Sequence, residues 1–319
     1  MSRNATISLV CYPPVPADEP DRLKKTLARM GDHVSQASSL KSDLVAFPEI
    51  CNYLGAQDPW QFEELDGPTI TAIARKARQH SIYVVCPLAT MDGPKRRNSS
   101  VLIARDGHVA GVYHKNVPTH GELDVGIIPG TETPVFETDF GRAGLCICFD
   151  LNYSEVATGL CANKAELVIW SSMWTGQRMM GRWAIEFGFY MGGVHSGAAS
   201  FIDLAGRVIS SVGRGTSDAT GSAPLLTATL DLDRRLLHHD GNTGRLKPLF
   251  EKYGPMAAYA EHIGDECLLL FGSQLPNVSS DQLIGEFKLE PMRDYLARVR
   301  RDRQLALDGG YKPHDPKTR

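Results

Sequence analysis

Three residues stand just beyond predicted strands, and their types fit one chemistry. Glu49 follows Asp43-Leu-Val-Ala-Phe47 and Pro48, Lys115 follows His108–Tyr113, and Cys148 closes Arg142–Cys148. Strand ends are where α/β sheets gather function. A carboxylate beside a thiol can take its proton, and the thiolate is the attacking species. A lysine ammonium near the attacked carbon, helped by the backbone N–H of Phe149, can hold the oxyanion that forms. If that carbon carries nitrogen, the nitrogen leaves as ammonia or an amine once the glutamic acid protonates it. Water then hydrolyses the thioester. Each residue alone also has an ordinary reading: a core cysteine, an exposed glutamate, a surface lysine. Composition and periodicity do not bring the three into contact.

The elements that must position them follow from apolar patterning. Gly144-Leu-Cys-Ile-Cys-Phe-Asp150 reads as a buried strand running into a turn, Leu151-Asn152-Tyr153-Ser154, with a helix from about Ser154 to Asn163. Upstream, Ala5–Cys11 alternates as a strand, about Asp21–Leu40 has a helical apolar face, and about Ile70–His80 is a second helix. Ile82–Leu88, Asn98–Ala104 and His108–Tyr113 are strands, the last two joined at Asp106-Gly107. Thr119–Gly130 reads as a long polar loop able to border a site. Pro134–Thr138 and Leu167–Ser171 are further strands, and a helix is expected over about Gln177–Met191. A hairpin of His195–Leu204 with Val208–Val212 and a strand Leu225–Asp231 close the series. The order before Lys115 returns loosely after Pro134. That predicts α/β architecture: an α-β-β-α sandwich of two stacked mixed sheets with helices outside. Residues 1–233 form this domain, and 234–319 a mainly helical C-terminal extension, with Arg245–His262 and Ser279–Leu307 as its helices.

Bulk properties narrow the function class. The 319 residues are 42% apolar with a net charge of −3, which gives no reason to expect nucleic acid or an anionic membrane as partner. No apolar run approaches the ~20 residues that span a bilayer, and the first fifteen residues read as a strand, not a secretion signal. The seven cysteines are odd in number and mostly inside apolar runs, which favours reduced thiols and a cytoplasmic location. Cys146 and Cys148 make a C-x-C without two further ligands at sensible spacing, so no metal is expected.

Phe47-Pro-Glu49, Tyr113-His-Lys115 and Gly144-Leu-Cys-Ile-Cys148-Phe-Asp150, in this order and spacing, strongly resemble the nitrilase or carbon–nitrogen hydrolase superfamily. Asn98-Ser-Ser-Val-Leu-Ile-Ala-Arg-Asp-Gly107, Pro129-Gly130 and Phe201-Ile-Asp-Leu-Ala-Gly206 extend the likeness over roughly Ala5–Asp231. The resemblance implies a catalytic Glu49, Lys115 and Cys148. It also favours Cys148 over Cys146 as nucleophile, because an aromatic residue and an acid follow it. A second glutamate after the lysine would fall on Glu122, positioning Lys115 and the water. Trp174 would shape the acyl pocket, and Tyr53 and Asn152 are expected beside it as substrate-binding residues. Members acting on nitriles usually carry Trp-Glu after the cysteine, whereas Phe149-Asp150 looks like amidase- and carbamoylase-type members. Arg178 and Arg182 are candidates for a substrate carboxylate, without either being decisive. Ser154-Glu155 stands where Pro-Glu is usual, and Trp183-Ala-Ile-Glu-Phe187 lacks the usual arginine and asparagine of its helix motif.

The implied reading is a cytoplasmic hydrolase of a small linear amide or N-carbamoyl amine, working without metal or organic cofactor, as a homodimer or larger. Its rivals are a nitrilase proper and a catalytically idle binding subunit.

Overall fold

The computed structural model describes residues 3–11, 13–213 and 225–313. These divide into two compact units: the described residues within 5–184 and 189–230, and those within 1–4, 185–188 and 231–319.

The larger unit begins with β1 (Asn4–Val10), α1 (Arg22–Ser39), β2 (Leu44–Ala46), α2 (Pro68–His80), β3 (Tyr83–Asp92), β4 (Lys95–Ile103) and β5 (Val109–His114). A short α3 (His120–Asp124) precedes β6 (Val135–Glu137), β7 (Arg142–Ile147), α4 (Ser154–Ala162), β8 (Leu167–Ser171) and α5 (Gln177–Phe187). Then come β9 (Tyr190–His195), β10 (Ala198–Ile202), β11 (Val208–Val212) and β12 (Leu225–Asp231). Among the described residues two six-stranded sheets form, in the orders β12-β1-β2-β3-β4-β5 and β11-β10-β9-β8-β7-β6. In the first, β1, β2 and β3 run parallel, followed by antiparallel β4 and β5. In the second, β7, β8 and β9 run parallel with antiparallel strands at either side. The two halves thus repeat one plan, and the architecture is the α/β sandwich expected.

Parallel strands covered on both faces are expected to be largely apolar, and Leu44–Ala46 and Leu167–Ser171 are buried at every position, with Ser171 their one polar residue. α1 turns Met30, Val34 and Ala37 toward β2 and β3, where they join Val45, Val84 and Cys86 in one core. α2 starts on Pro68, a residue suited to the first helical turn, and adds Ile70, Ile73 and Ala77 to that core. Between the sheets, the Ser171 hydroxyl donates to the Phe47 carbonyl at 2.8 Å. The exits of β2 and β8 are therefore pinned together.

Several elements differ from the sequence reading. The helix expected to reach Met191 stops at Phe187. Gly188 follows with φ +71°, and Tyr190–His195 pairs as β9 between β8 and β10. The run Phe187–Val194 is apolar enough for either state, and the glycine settles it. In the C-terminal unit the helix expected over Arg245–His262 ends early, and the one expected over Ser279–Leu307 is broken after Phe287, where Lys288 takes φ +53°. There β13 (Arg235–His238) is followed by α6 (Asn242–Tyr253), β14 (Ala258–Ile263), β15 (Leu268–Ser273), α7 (Ser280–Phe287) and α8 (Met292–Leu307). α6 stops at Gly254, φ +90°, and the three strands form an antiparallel sheet in the order β13-β15-β14. Its apolar side packs on α6 and α7 through Leu237, Leu269, Phe271, Leu249 and Leu283. Among the described residues no helix is long and apolar enough to cross a membrane.

Candidate active site

The β2 exit, the β5 exit and the β7 exit meet in the larger unit. Lys115, 1% exposed, is the centre of the meeting point. Its ammonium donates to Glu49 Oε1 at 3.0 Å and to Glu122 Oε1 and Oε2 at 2.9 and 2.7 Å. Asn98, on β4, donates its amide to the same two carboxylates, at 2.8 Å to Glu49 Oε1 and 2.7 Å to Glu122 Oε1. One lysine and one asparagine thus hold two buried carboxylates side by side. Burial alone would lower the Lys115 pKa, but Glu49 and Glu122 outweigh it and hold the ammonium above its ordinary range. Burial would likewise raise Glu122, and Lys115, Asn98 and Thr119 together keep it below the usual carboxylate range.

Glu122 is fixed a second time by its own backbone. The loop expected over Thr119–Gly130 contains α3, whose N-cap Thr119 accepts from the Glu122 N–H, while Glu122 Oε2 accepts from the Thr119 N–H at 2.8 Å and hydroxyl at 2.9 Å. This is a capping box, and Thr119-His-Gly-Glu122 spells it in the sequence.

Glu49 Oε2 has no such partner. It is buried and makes no hydrogen bond among the described residues. It is the free face of a carboxylate whose other oxygen is held twice.

Cys148 begins a short 3-10 turn, Cys148–Asn152, directly after β7. Its φ is +45°, a left-handed conformation that costs a residue with a side chain about 1 kcal/mol or more and needs support from its surroundings. Trp170 gives part of that support, donating its indole N–H to the Cys148 carbonyl at 3.0 Å. Cys148 is 8% exposed. Burial, then the charge of Glu49, push its thiol up to about 12, against the opposing pull of Lys115 and hydrogen bonds from the Met173 N–H and Ser172. Glu49 and Lys115 therefore both act electrostatically on the sulfur. The N–H of Phe149 lies in the first turn, where a helix has no acceptor of its own for it. Cys146, two residues earlier, is fully buried, and burial followed by the Asp150 charge raises its thiol well above the ordinary range.

The residues expected at the substrate are placed differently from one another. Trp174 is half-buried at the β8 exit, edge-on to Trp170 with centroids 5.1 Å apart, and its N–H donates to Ser172 at 3.1 Å. Tyr53 is half-buried in the loop after Glu49, its hydroxyl raised by burial and by Glu63. Asn152 is exposed and donates its amide to the Phe149 carbonyl at 3.0 Å, stitching its own turn. Arg178 and Arg182 are exposed on α5. Among the described residues no group of three His, Cys, Asp or Glu side chains is placed to hold a metal ion. Sequence reasoning gave no site role to Asn98, Ser172 or the side chain of Asp150. Their signal is a polar side chain inside an otherwise apolar strand or at its exit, which buried strands tolerate only where hydrogen bonds satisfy it.

A buried carboxylate with one free oxygen, an ammonium and a thiol at a strained strand exit are the parts needed for acyl transfer through sulfur. The sequence profile of the carbon–nitrogen hydrolase family matches residues 6–235, which contain all of them. The chain belongs to this family. Its curated relatives are distant. A probable nitrilase of Schizosaccharomyces pombe is 26% identical over 161 residues, covering 48% of this chain and 59% of the relative. A beta-ureidopropionase of Arabidopsis thaliana is 29% identical over 133 residues, covering 39% of this chain and 32% of the relative. The chain spans about three fifths of the length of the first curated relatives it matches. Among solved structures, an amidase from Nesterenkonia sp. AN1, a double mutant in complex with acrylamide, superposes with a TM-score of 0.60 at 19% identity. It covers 72% of this chain and 91% of that one, a likeness of fold.

Proposed function

We propose that the chain hydrolyses a non-peptide carbon–nitrogen bond of a small linear amide or N-carbamoyl amine, through a thioester on Cys148. The observation that carries this is the free, buried Oε2 of Glu49, in a carboxylate anchored by Lys115 and Asn98 and acting electrostatically on the Cys148 thiol.

In the first half, Glu49 takes the Sγ proton as sulfur attacks the carbonyl carbon, forming the C–S bond and leaving the electron pair on oxygen. Lys115 and the Phe149 N–H stabilise that oxyanion. Collapse breaks the C–N bond, and Glu49 gives its proton to the departing nitrogen, releasing ammonia or an amine. In the second half, Glu49 takes a proton from water, hydroxide adds to the thioester carbon, and the C–S bond breaks. The proton returns to sulfur. Glu122 keeps Lys115 and the water in place. Acid, amine and free thiol result, so the atoms balance without a further reactant. The names of relatives and neighbours support the substrate class: an amidase with acrylamide and a beta-ureidopropionase stand among them.

The test is ammonia release from short amides, N-carbamoyl amino acids and nitriles, with native protein, Cys148→Ala and Cys146→Ala. Turnover of amides or carbamoyl compounds, lost in Cys148→Ala and kept in Cys146→Ala, is expected. Preference for nitriles would replace the substrate class. Turnover surviving in Cys148→Ala would end the proposal.

A further inference from the structure

Asp150 is fully buried, yet it does not face the Lys115 cluster with a hydrogen bond. Its carboxylate accepts three, and all come from segments that carry the proposed reacting groups. Oδ2 accepts from the Ile147 N–H at 2.9 Å, the residue before Cys148. The same oxygen accepts from the Tyr113 hydroxyl at 2.7 Å, two residues before Lys115. Oδ1 accepts from the Val117 N–H at 2.8 Å, two residues after Lys115. The Asn116 N–H adds a longer bond to the Tyr113 oxygen at 3.3 Å. One side chain therefore closes the turn over Cys148 and grips the chain on both sides of Lys115.

We propose that Asp150, with Tyr113, is a positioning residue that fixes the Cys148 turn and the Lys115 segment in one register. This rests on the proposed roles of Cys148 and Lys115. Two features of the site require such a device. Cys148 sits at φ +45°, a conformation that persists only where neighbouring bonds over-determine it. Lys115 lies just past the β5 exit and depends on how that exit is held. A hydrophobic side chain at 150 would fill the space but leave the Ile147 and Val117 N–H groups and the Tyr113 hydroxyl buried without acceptors.

The clamp has a pH signature. Burial raises the Asp150 carboxyl to about 6, while Tyr113, the Ile147 and Val117 N–H groups and the Lys115 charge act to lower it. The titratable groups facing it are Tyr113 from β5, Cys146 from β7 and Lys115. Protonation puts a hydrogen where a donor must be accepted, so the clamp loosens as pH falls through about 6. Tyr113→Phe removes one bond that favours the ionised form and moves this limb to higher pH. Asp150→Asn removes the limb.

The experiment compares native protein, Asp150→Asn and Tyr113→Phe by kcat and KM for ammonia release from pH 5 to 9. Iodoacetamide alkylation of Cys148 is followed by mass spectrometry, and thermal unfolding reports the folded fraction. For Asp150→Asn, kcat is expected to fall about 10- to 100-fold with KM within about threefold, as for a nucleophile displaced by roughly an ångström. Alkylation slows with it. Tyr113→Phe, which keeps the buried carboxylate, carries the test if Asp150→Asn does not fold; its kcat falls severalfold and its acid limb rises in pH. An unchanged kcat, alkylation rate and pH profile in the folded variants would overturn the inference, as would a loss explained wholly by the folded fraction. If the native chain turned over none of the substrates while the variants still slowed Cys148 alkylation, the proposed function would fail and the clamp would stand. Alkylation unchanged in that case would overturn the clamp as well.

Discussion

Glu49→Gln tests the proposed chemistry where it is most exposed. The side chain keeps its length, and the amide oxygen can still accept from Lys115 and Asn98 in place of Oε1. What is lost is a charge and a base. The Cys148 thiol stands at about 12, so at pH 7.5 only about 3 in 10⁵ molecules carry a preformed thiolate, against about 3 in 100 for a cysteine at the ordinary value of 9. Raising the thiol from 9 to about 12 disfavours the thiolate by about 4 kcal/mol. An attack that had to wait for spontaneous ionisation would be slower by roughly 10³. A base that removes the proton as sulfur attacks escapes that factor, and about 10²–10⁴ is what positioned bases contribute. Glu49→Gln should therefore lose about 10²- to 10⁴-fold in kcat.

The substitution also has an opposite effect on the thiol. Glu49 is the second largest cause of the raised value, after burial, so removing its charge lowers the Cys148 pKa. Iodoacetamide alkylation separates the two. In the native protein its rate should change little between pH 6.5 and 9, because Glu49 takes the proton. In Glu49→Gln it should rise about tenfold per pH unit over the same range, because only the preformed thiolate reacts. The variant would be the poorer enzyme and, at high pH, the one with more thiolate. A variant that kept more than a tenth of native turnover, or kept a flat alkylation profile, would refute Glu49 as base.

The remaining predictions concern the charges around it. Lys115→Met strands two carboxylates in a buried site; unfolding by urea should show a loss of about 3–5 kcal/mol, and turnover should vanish. Asn98→Ala removes two charge-assisted hydrogen bonds and should cost about 2–4 kcal/mol by the same assay, with kcat falling at least tenfold in the protein that remains folded. Glu122 has a lowered native pKa, so its stabilisation is complete above the ordinary glutamate value and is lost as pH falls through the lowered one; Glu122→Gln should flatten the acid side of the Tm-against-pH curve.

The strand exits are legible in the sequence because each is an apolar run cut by a residue that cannot remain buried unaided: Pro48-Glu49, Lys115 and Asp150. The sheets follow from the same runs, since strands buried on both faces need no alternation to be recognised. Legibility fails where one pattern serves two structures. Phe187–Val194 is apolar enough for a helix or a covered strand, and only Gly188 at φ +71° separates α5 from β9. Ala258–Ile263 has charged and aromatic residues that suit either state, and becomes β14 because β15 offers it a partner ten residues on. Asn98 and Asp150 are hidden for another reason. Their partners lie far along the chain, 49 residues away for Asn98 and Glu49 and 37 for Asp150 and Tyr113, so no local pattern announces them. Thr119-His-Gly-Glu122 is the opposite case, a local capping signal that lies within a segment read as loop.

The arrangement around Lys115 also explains why so much charge can be buried together. At rest the three ammonium protons meet Glu49 Oε1 and both oxygens of Glu122, so the lysine has no free donor for a substrate. Two carboxylates against one ammonium leave the cluster with one negative charge. In the proposed reaction the sulfur proton passes to Glu49 as the oxyanion forms. Glu49 becomes neutral, and its hold on the Lys115 proton weakens at the moment the oxyanion needs that proton. The site begins and ends the step with the same net charge. The negative charge only moves from Glu49 Oε1 to the substrate oxygen, both beside Lys115. In a medium of low dielectric, moving a charge a few ångströms between partners of one cation costs far less than creating one. Such a scheme requires Glu122 to stay ionised throughout as the permanent counter-ion, and its double anchoring by Lys115 and the Thr119 cap favours that.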